Sequence, residues 1–77
     1  MHYYFDTDND DRTSRDERGQ DHADPESMRD AAIRALPDLA RDDLPNGDRR
    51  VFTVKVRDES GRYVFQATLS LIATWLN

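Results

Sequence analysis

Phe52-Thr53-Val54-Lys55-Val56-Arg57-Asp58-Glu59-Ser60-Gly61-Arg62-Tyr63-Val64-Phe65-Gln66-Ala67-Thr68-Leu69-Ser70-Leu71 decides the fold. Phe52, Val54 and Val56 alternate with Thr53, Lys55 and Arg57. Successive side chains of a strand point to opposite faces, so this period of two predicts a half-buried strand. Asp58-Glu59-Ser60-Gly61 is turn chemistry, with the glycine free to take a positive φ. The alternation then resumes: Tyr63, Phe65, Ala67, Leu69 and Leu71 on one side, Val64, Gln66, Thr68 and Ser70 on the other. The pattern predicts a β-hairpin with one apolar face for a core and one polar face for water.

That apolar face needs a cover, and the preceding segment supplies one. Asp24-Pro25-Glu26 is a helix start: an oxygen to accept from free N–H groups, a proline suited to the first helical position, and an acid against the positive end of the dipole. Met28, Ala32, Leu36 and Leu39 recur at helical spacing, and Ile33, Ala40 and Leu44 widen the stripe. Pro37 interrupts it. A proline there removes one N–H and crowds the carbonyl four residues back, so a kink or a break is expected. Leu44-Pro45-Asn46-Gly47 is expected to end the helix.

The N-terminal third is different in kind. His2-Tyr3-Tyr4-Phe5-Asp6-Thr7 is aromatic-rich and reads as a strand. Residues 8–23 are almost wholly polar and read as an acidic mobile loop or a weak hairpin, with a fourth, weak strand allowed around Thr13–Gln20. The expected architecture is therefore one α+β domain over residues 1–77. It has a small antiparallel sheet of three strands, or four with the weak one, and a helix on one face.

Composition bounds the function. The chain has 77 residues and no cysteine, so disulfides, thiol catalysis and thiolate metal sites are excluded. A domain this small predicts marginal stability or self-association. No apolar h-region or membrane-length run is visible, and the expected location is the cytoplasm. The net charge is -5, which disfavours non-specific binding to anionic surfaces. Residues 1–30 carry ten acids against four arginines, whereas residues 31–77 are close to balanced.

Several motifs are similar to one family. Tyr3-Tyr4-Phe5-Asp6, Arg15-Asp16-Glu17-x-Gly19, the helical Ala31-Ala32, Ala35-Leu36 and Leu39-Ala40-Arg41-Asp42, and Val56-Arg57-Asp58-Glu59-x-Gly61-Arg62 resemble an uncharacterised group of short bacterial proteins, commonest in alphaproteobacteria. The resemblance implies no activity and supplies no catalytic residues. A looser likeness, over residues 3–36, is to the partial-nuclease-fold antitoxins of toxin–antitoxin pairs.

Four features carry candidate chemistry. Asp6, Asp8 and Asp10 alternate, and Glu17 falls at the twelfth position counted from Asp6. This is the ligand spacing of a helix–loop–helix calcium loop. Against it, Asp11 stands where the loop wants glycine, and the flanks do not read as helices. His2 and His22 read as surface histidines. The glycines are isolated turn residues and no nucleophile elbow is visible, so neither an enzyme nor a cofactor is expected. Lys55, Arg57 and Arg62, with Arg49 and Arg50, make the polar hairpin face basic. It reads either as a nucleic-acid-tracking surface or as an ordinary water-facing sheet. In the apolar tail Leu69, Leu71 and Trp75 can fill the core, whereas Ile72 and Leu76 either turn outward beside a strand edge or fold back against the helix; Ile72, Trp75 and Leu76 are the candidate docking residues. The leading expectation is a non-enzymatic interaction module that binds itself or a protein partner. The alternative is a nucleic-acid-associated or antitoxin-like regulator. No membrane partner is expected.

Overall fold

The computed structural model describes residues 1–45 and 47–77. Its elements are β1 (His2–Asp8), β2 (Thr13–Ser14), β3 (Gln20–Asp21), α1 (Pro25–Arg41), β4 (Arg49–Arg57) and β5 (Tyr63–Ile72). The sheet is five-stranded, in the order β2-β1-β4-β5, with β3 also paired to β1. Every pairing is antiparallel. The α+β class with one helix and an antiparallel sheet is as the sequence predicts.

The weak strand exists in an interrupted form. β2 pairs with Thr7 and Asp8, and β3 pairs with His2 and Tyr3. Between them the Phe5 N–H has no strand opposite it. The Asp16 carboxylate takes that place, accepting from Phe5 N at 3.0 Å. Two short ladders and one side chain thus finish the outer edge of β1, and this is why the periodicity of residues 13–20 is poor.

Helix α1 begins where the sequence says it does. Asp24 Oδ1 accepts from Ser27 N at 2.8 Å, and Pro25 occupies the first turn. Met28, Ala32, Leu36 and Ala40 are its buried residues, four apart. They pack on Tyr3, Phe52, Val54 and Val56, with Phe5, Leu39, Phe65 and Ala67 against the margin. Ile33 and Leu44, expected in that stripe, are exposed.

Pro37 neither ends nor splits the helix, which runs from Pro25 to Arg41. Pro37 and Ile33 both lie on the exposed side. The carbonyl that loses its N–H partner, that of Ile33, therefore faces solvent, where water can satisfy it. The helix closes earlier than the Leu44-Pro45-Asn46-Gly47 run. Asp42 caps it, and the N–H groups of Asp43 and Leu44 both return to the Ala40 carbonyl. Asn46 lies outside the described residues.

One register shift corrects the reading of the hairpin. Val56 pairs with Phe65, but Arg57 pairs with Tyr63, so Val64 is an extra residue in β5. A bulge of this kind turns the side chains beyond it to the other face. Tyr63, expected beside Phe65 on the apolar face, lies instead on the face away from the helix.

Candidate interaction edge and the ion pair behind it

The face away from the helix carries Tyr4, Asp6 and Asp8 from β1 and Thr53, Lys55 and Arg57 from β4, as the cross-strand pairs require. At its centre is a buried ion pair. Arg57 Nε donates to Asp6 Oδ2 at 2.9 Å and Arg57 Nη2 to Asp6 Oδ1 at 3.0 Å, a two-pronged contact. Both side chains are only 8% exposed. Asp6 also accepts from Tyr63 Oη at 2.8 Å and Asp16 N at 2.9 Å. Arg57 Nη2 donates further to the Asp16 carbonyl at 2.6 Å, and its guanidinium lies 4.8 Å from the Tyr4 ring centroid.

These contacts fix the charges. The Arg57 hydrogen bonds outweigh burial and hold the Asp6 carboxyl far below the usual aspartate range. The same bonds raise Arg57. Burial pushes Asp16 up, but N–H donors from Phe5, Gly19 and Arg18 outweigh it and lower its pKa.

This corrects the basic face. Arg57 is not available to a partner, because the segment around Asp16 covers it. Arg50 is also buried, facing Asp43 and lying 3.4 Å from Asp11, with Nη2 donating to the Asn9 carbonyl at 2.6 Å. Lys55 and Arg62 remain exposed. Lys55 sits 5.6 Å from the Tyr63 ring centroid.

The calcium spacing is corrected in the same way. Asp6 is committed to Arg57. Asp8 Oδ1 accepts from Asp10 N, Asp10 Oδ2 accepts from Val51 N at 3.0 Å, and Glu17 is exposed. The alternating carboxylates tie down backbone N–H groups and do not converge on a point. Among the described residues no group of three His, Asp or Glu side chains could hold a metal ion. The histidines stand on one edge: His2 bridges Asp21 at 2.7 Å and the Arg18 carbonyl at 2.8 Å, and His22 meets Ser27 at 2.8 Å.

The apolar tail is turned outward. Ile72 is 67% exposed, Trp75 95% and Leu76 90%. This corrects the expectation that Trp75 fills the core, and Ile72 and Leu76 are not folded back against the helix. The Ala73 N–H donates to the Asp48 carbonyl at 2.8 Å, which steers the tail off the end of β4.

The tail continues β5, and β5 is the last strand of the sheet. Its outer row of N–H and C=O groups meets no partner among the described residues. Edge strands are ordinarily protected by charged side chains, proline or short length. β5 is ten residues long, and no Asp, Glu, Lys, Arg or Pro occurs from Tyr63 to Asn77, in a chain that is 35% charged. The bulge at Val64 is its one protective device. This uncharged run is legible in the sequence, but its meaning depends on the strand order, which sequence reasoning left open.

The molecule is thus a small two-layer domain, one helix on an antiparallel sheet with one finished and one bare edge. It belongs to the family described as a domain of unknown function, DUF6894, which matches residues 2–70. Comparison with curated proteins and with solved structures gives no match. No helix among the described residues is long and apolar enough to cross a membrane.

Proposed function

We propose that this protein is a non-enzymatic interaction module that self-associates by antiparallel pairing of β5 with β5 of a second copy. The bare, uncharged β5 edge carries the reading. Two such ten-residue strands would exchange about ten interstrand hydrogen bonds, the number a typical protein interface contains. An uncharged edge is compatible with itself, whereas the net charge of -5 resides elsewhere and does not meet its like across the junction. A domain near the lower size limit also gains stability from burying apolar surface in a pair.

Nucleic-acid binding has less support. Arg57 is committed to Asp6, and the polar cavity of about 510 Å³ beside Lys55 and Arg15 is also lined by Asp6 and Asp8.

Sedimentation tests the reading. Wild-type chain should pass from monomer to dimer between micromolar and millimolar concentration. Thr68→Lys with Ser70→Lys places charges on an exposed face that does not touch the core. It should leave the circular dichroism unchanged and weaken the dimer at least tenfold. A wild-type chain monomeric throughout this range would refute the proposal.

A further inference from the structure

An apolar cavity of about 560 Å³ lies on the helix side of the sheet at the far end of β5 from the tail. Met1, Tyr3, Met28 and Val64 wall it, and Glu59 and Ser60 stand at its rim. The same chain's Trp75 cannot fill it. Strands rise about 3.3 Å per residue, so the nine steps from Tyr63 to Ile72 carry the tail about 30 Å away. The indole and the cavity are both uncovered, and they stand at opposite ends of one strand.

A two-fold axis removes that separation. We propose that Trp75 of a second copy inserts into this cavity, and that the exchange is reciprocal. The inference rests on the β5 pairing proposed above. Antiparallel pairing about a two-fold axis makes the numbers of opposed residues sum to a constant. Opposed side chains share a face, so that constant is even and the axis passes between one residue and the same residue of the second copy. With the extra residue Val64 counted, an axis at Ala67 or at Thr68, the middle of β5, sets Trp75 level with Asp58 or Ser60 respectively. Both residues line the cavity.

The face also agrees. Phe65 and Ala67 pack against the core under the helix. The Ala73 N–H still bonds to the Asp48 carbonyl, so an extension of β5 by three residues on pairing would give Trp75 the same side, and the axis, perpendicular to the sheet, preserves sides. The chemistry fits an indole. Met1 and Met28 offer sulfur to an aromatic ring. Glu59, whose Oε1 accepts from His2 N at 3.2 Å, supplies carboxylate oxygens for the indole N–H. Inserting a tryptophan buries about 150–250 Å² of side chain, which supplements the narrow contact that an edge pairing makes alone.

Trp75 is the only tryptophan, so its fluorescence reports the contact directly. Sedimentation and emission are read on the same samples across the dimer transition. The expected result is a blue shift that follows dimer formation and disappears in Val64→Arg, whose new side chain crosses the cavity mouth. Trp75→Ala should weaken the dimer at least tenfold without abolishing it. Mixing the Trp75→Ala chain, which has an intact cavity, with the Val64→Arg chain, which has the indole, should restore the blue shift in trans. A dimer whose Trp75 emits as a water-exposed indole overturns this inference and leaves the β5 pairing standing. A chain monomeric at every concentration overturns both.

Discussion

Asp6 is the residue on which the helix-free face depends. It accepts four hydrogen bonds, from Arg57 twice, from Tyr63 and from Asp16. Removing one partner of a buried pair leaves the other charge uncompensated, so Asp6→Ala should lower unfolding stability by about 3–5 kcal/mol. Urea denaturation followed by circular dichroism measures this. His2 gives a second prediction. Both its ring nitrogens face acceptors, the Asp21 carboxylate and the Arg18 carbonyl, which only the doubly protonated ring can satisfy. The Asp21 hydrogen bond, with that of Arg18, raises its pKa above the ordinary 6.5. Its contribution to stability is complete below pH 6.5 and fades as pH rises through the raised value. Unfolding stability of the wild type should therefore fall on the mildly alkaline side of 6.5. Subtracting a His2→Asn variant should isolate that fall. At the other end, the contribution of Asp6 persists until the pH drops below the ordinary aspartate range, because its folded pKa is depressed.

At the scale of elements, the hairpin and the helix start could be read from the sequence because each rests on local chemistry. The period of two from Phe52 to Val56, the turn residues Asp58 to Gly61 and the Asp24-Pro25 cap all act within a few residues. What could not be read depends on contacts across the chain. The bulge at Val64 turns Tyr63 toward Asp6, 57 residues away in sequence. The burial of Arg57 depends on a segment 41 residues earlier. A charged residue alternating with apolar neighbours looks solvent-facing until a loop is known to cover it. The regular spacing of Asp6, Asp8 and Asp10 likewise suggested a common ligand, whereas each carboxylate serves a different group. Gly19 is intermediate: a turn glycine in the sequence, it has φ +73° and a Cβ there would lie 2.6 Å from the Tyr3 carbonyl oxygen. Pro37 yields a prediction at this scale. An interior proline costs about 3 kcal/mol in a helix, offset by about 1 kcal/mol through a stiffer unfolded chain. Pro37→Ala restores the bond to the Ile33 carbonyl on an exposed face, and thermal unfolding should register a gain of about 2 kcal/mol.

For the whole molecule, charge and sheet order act together. Acids are concentrated in residues 1–30, which build β1, β2 and β3 at one side of the sheet. The other side ends in the uncharged β5. Pairing through β5 about an axis perpendicular to the sheet places both helices on the same face and both acidic edges at the two ends. The dimer predicted above should therefore respond little to salt, since no charged side chain of β5 lies at the junction, and sedimentation at low and high ionic strength checks it.

The same Asp16 that helps to complete the edge of β1 would also help to limit the growth of the proposed assembly. A sheet with two bare edges would add copies without end and form a filament. Here one edge is already occupied by β2, β3 and a carboxylate that holds the Phe5 N–H. Under the β5 pairing proposed above, each copy would offer a single site of addition, and association through strands would stop at two chains. Along that edge Asp16→Ala would free the Phe5 N–H alone, and with β2 and β3 still in place the assembly should go on stopping at two chains.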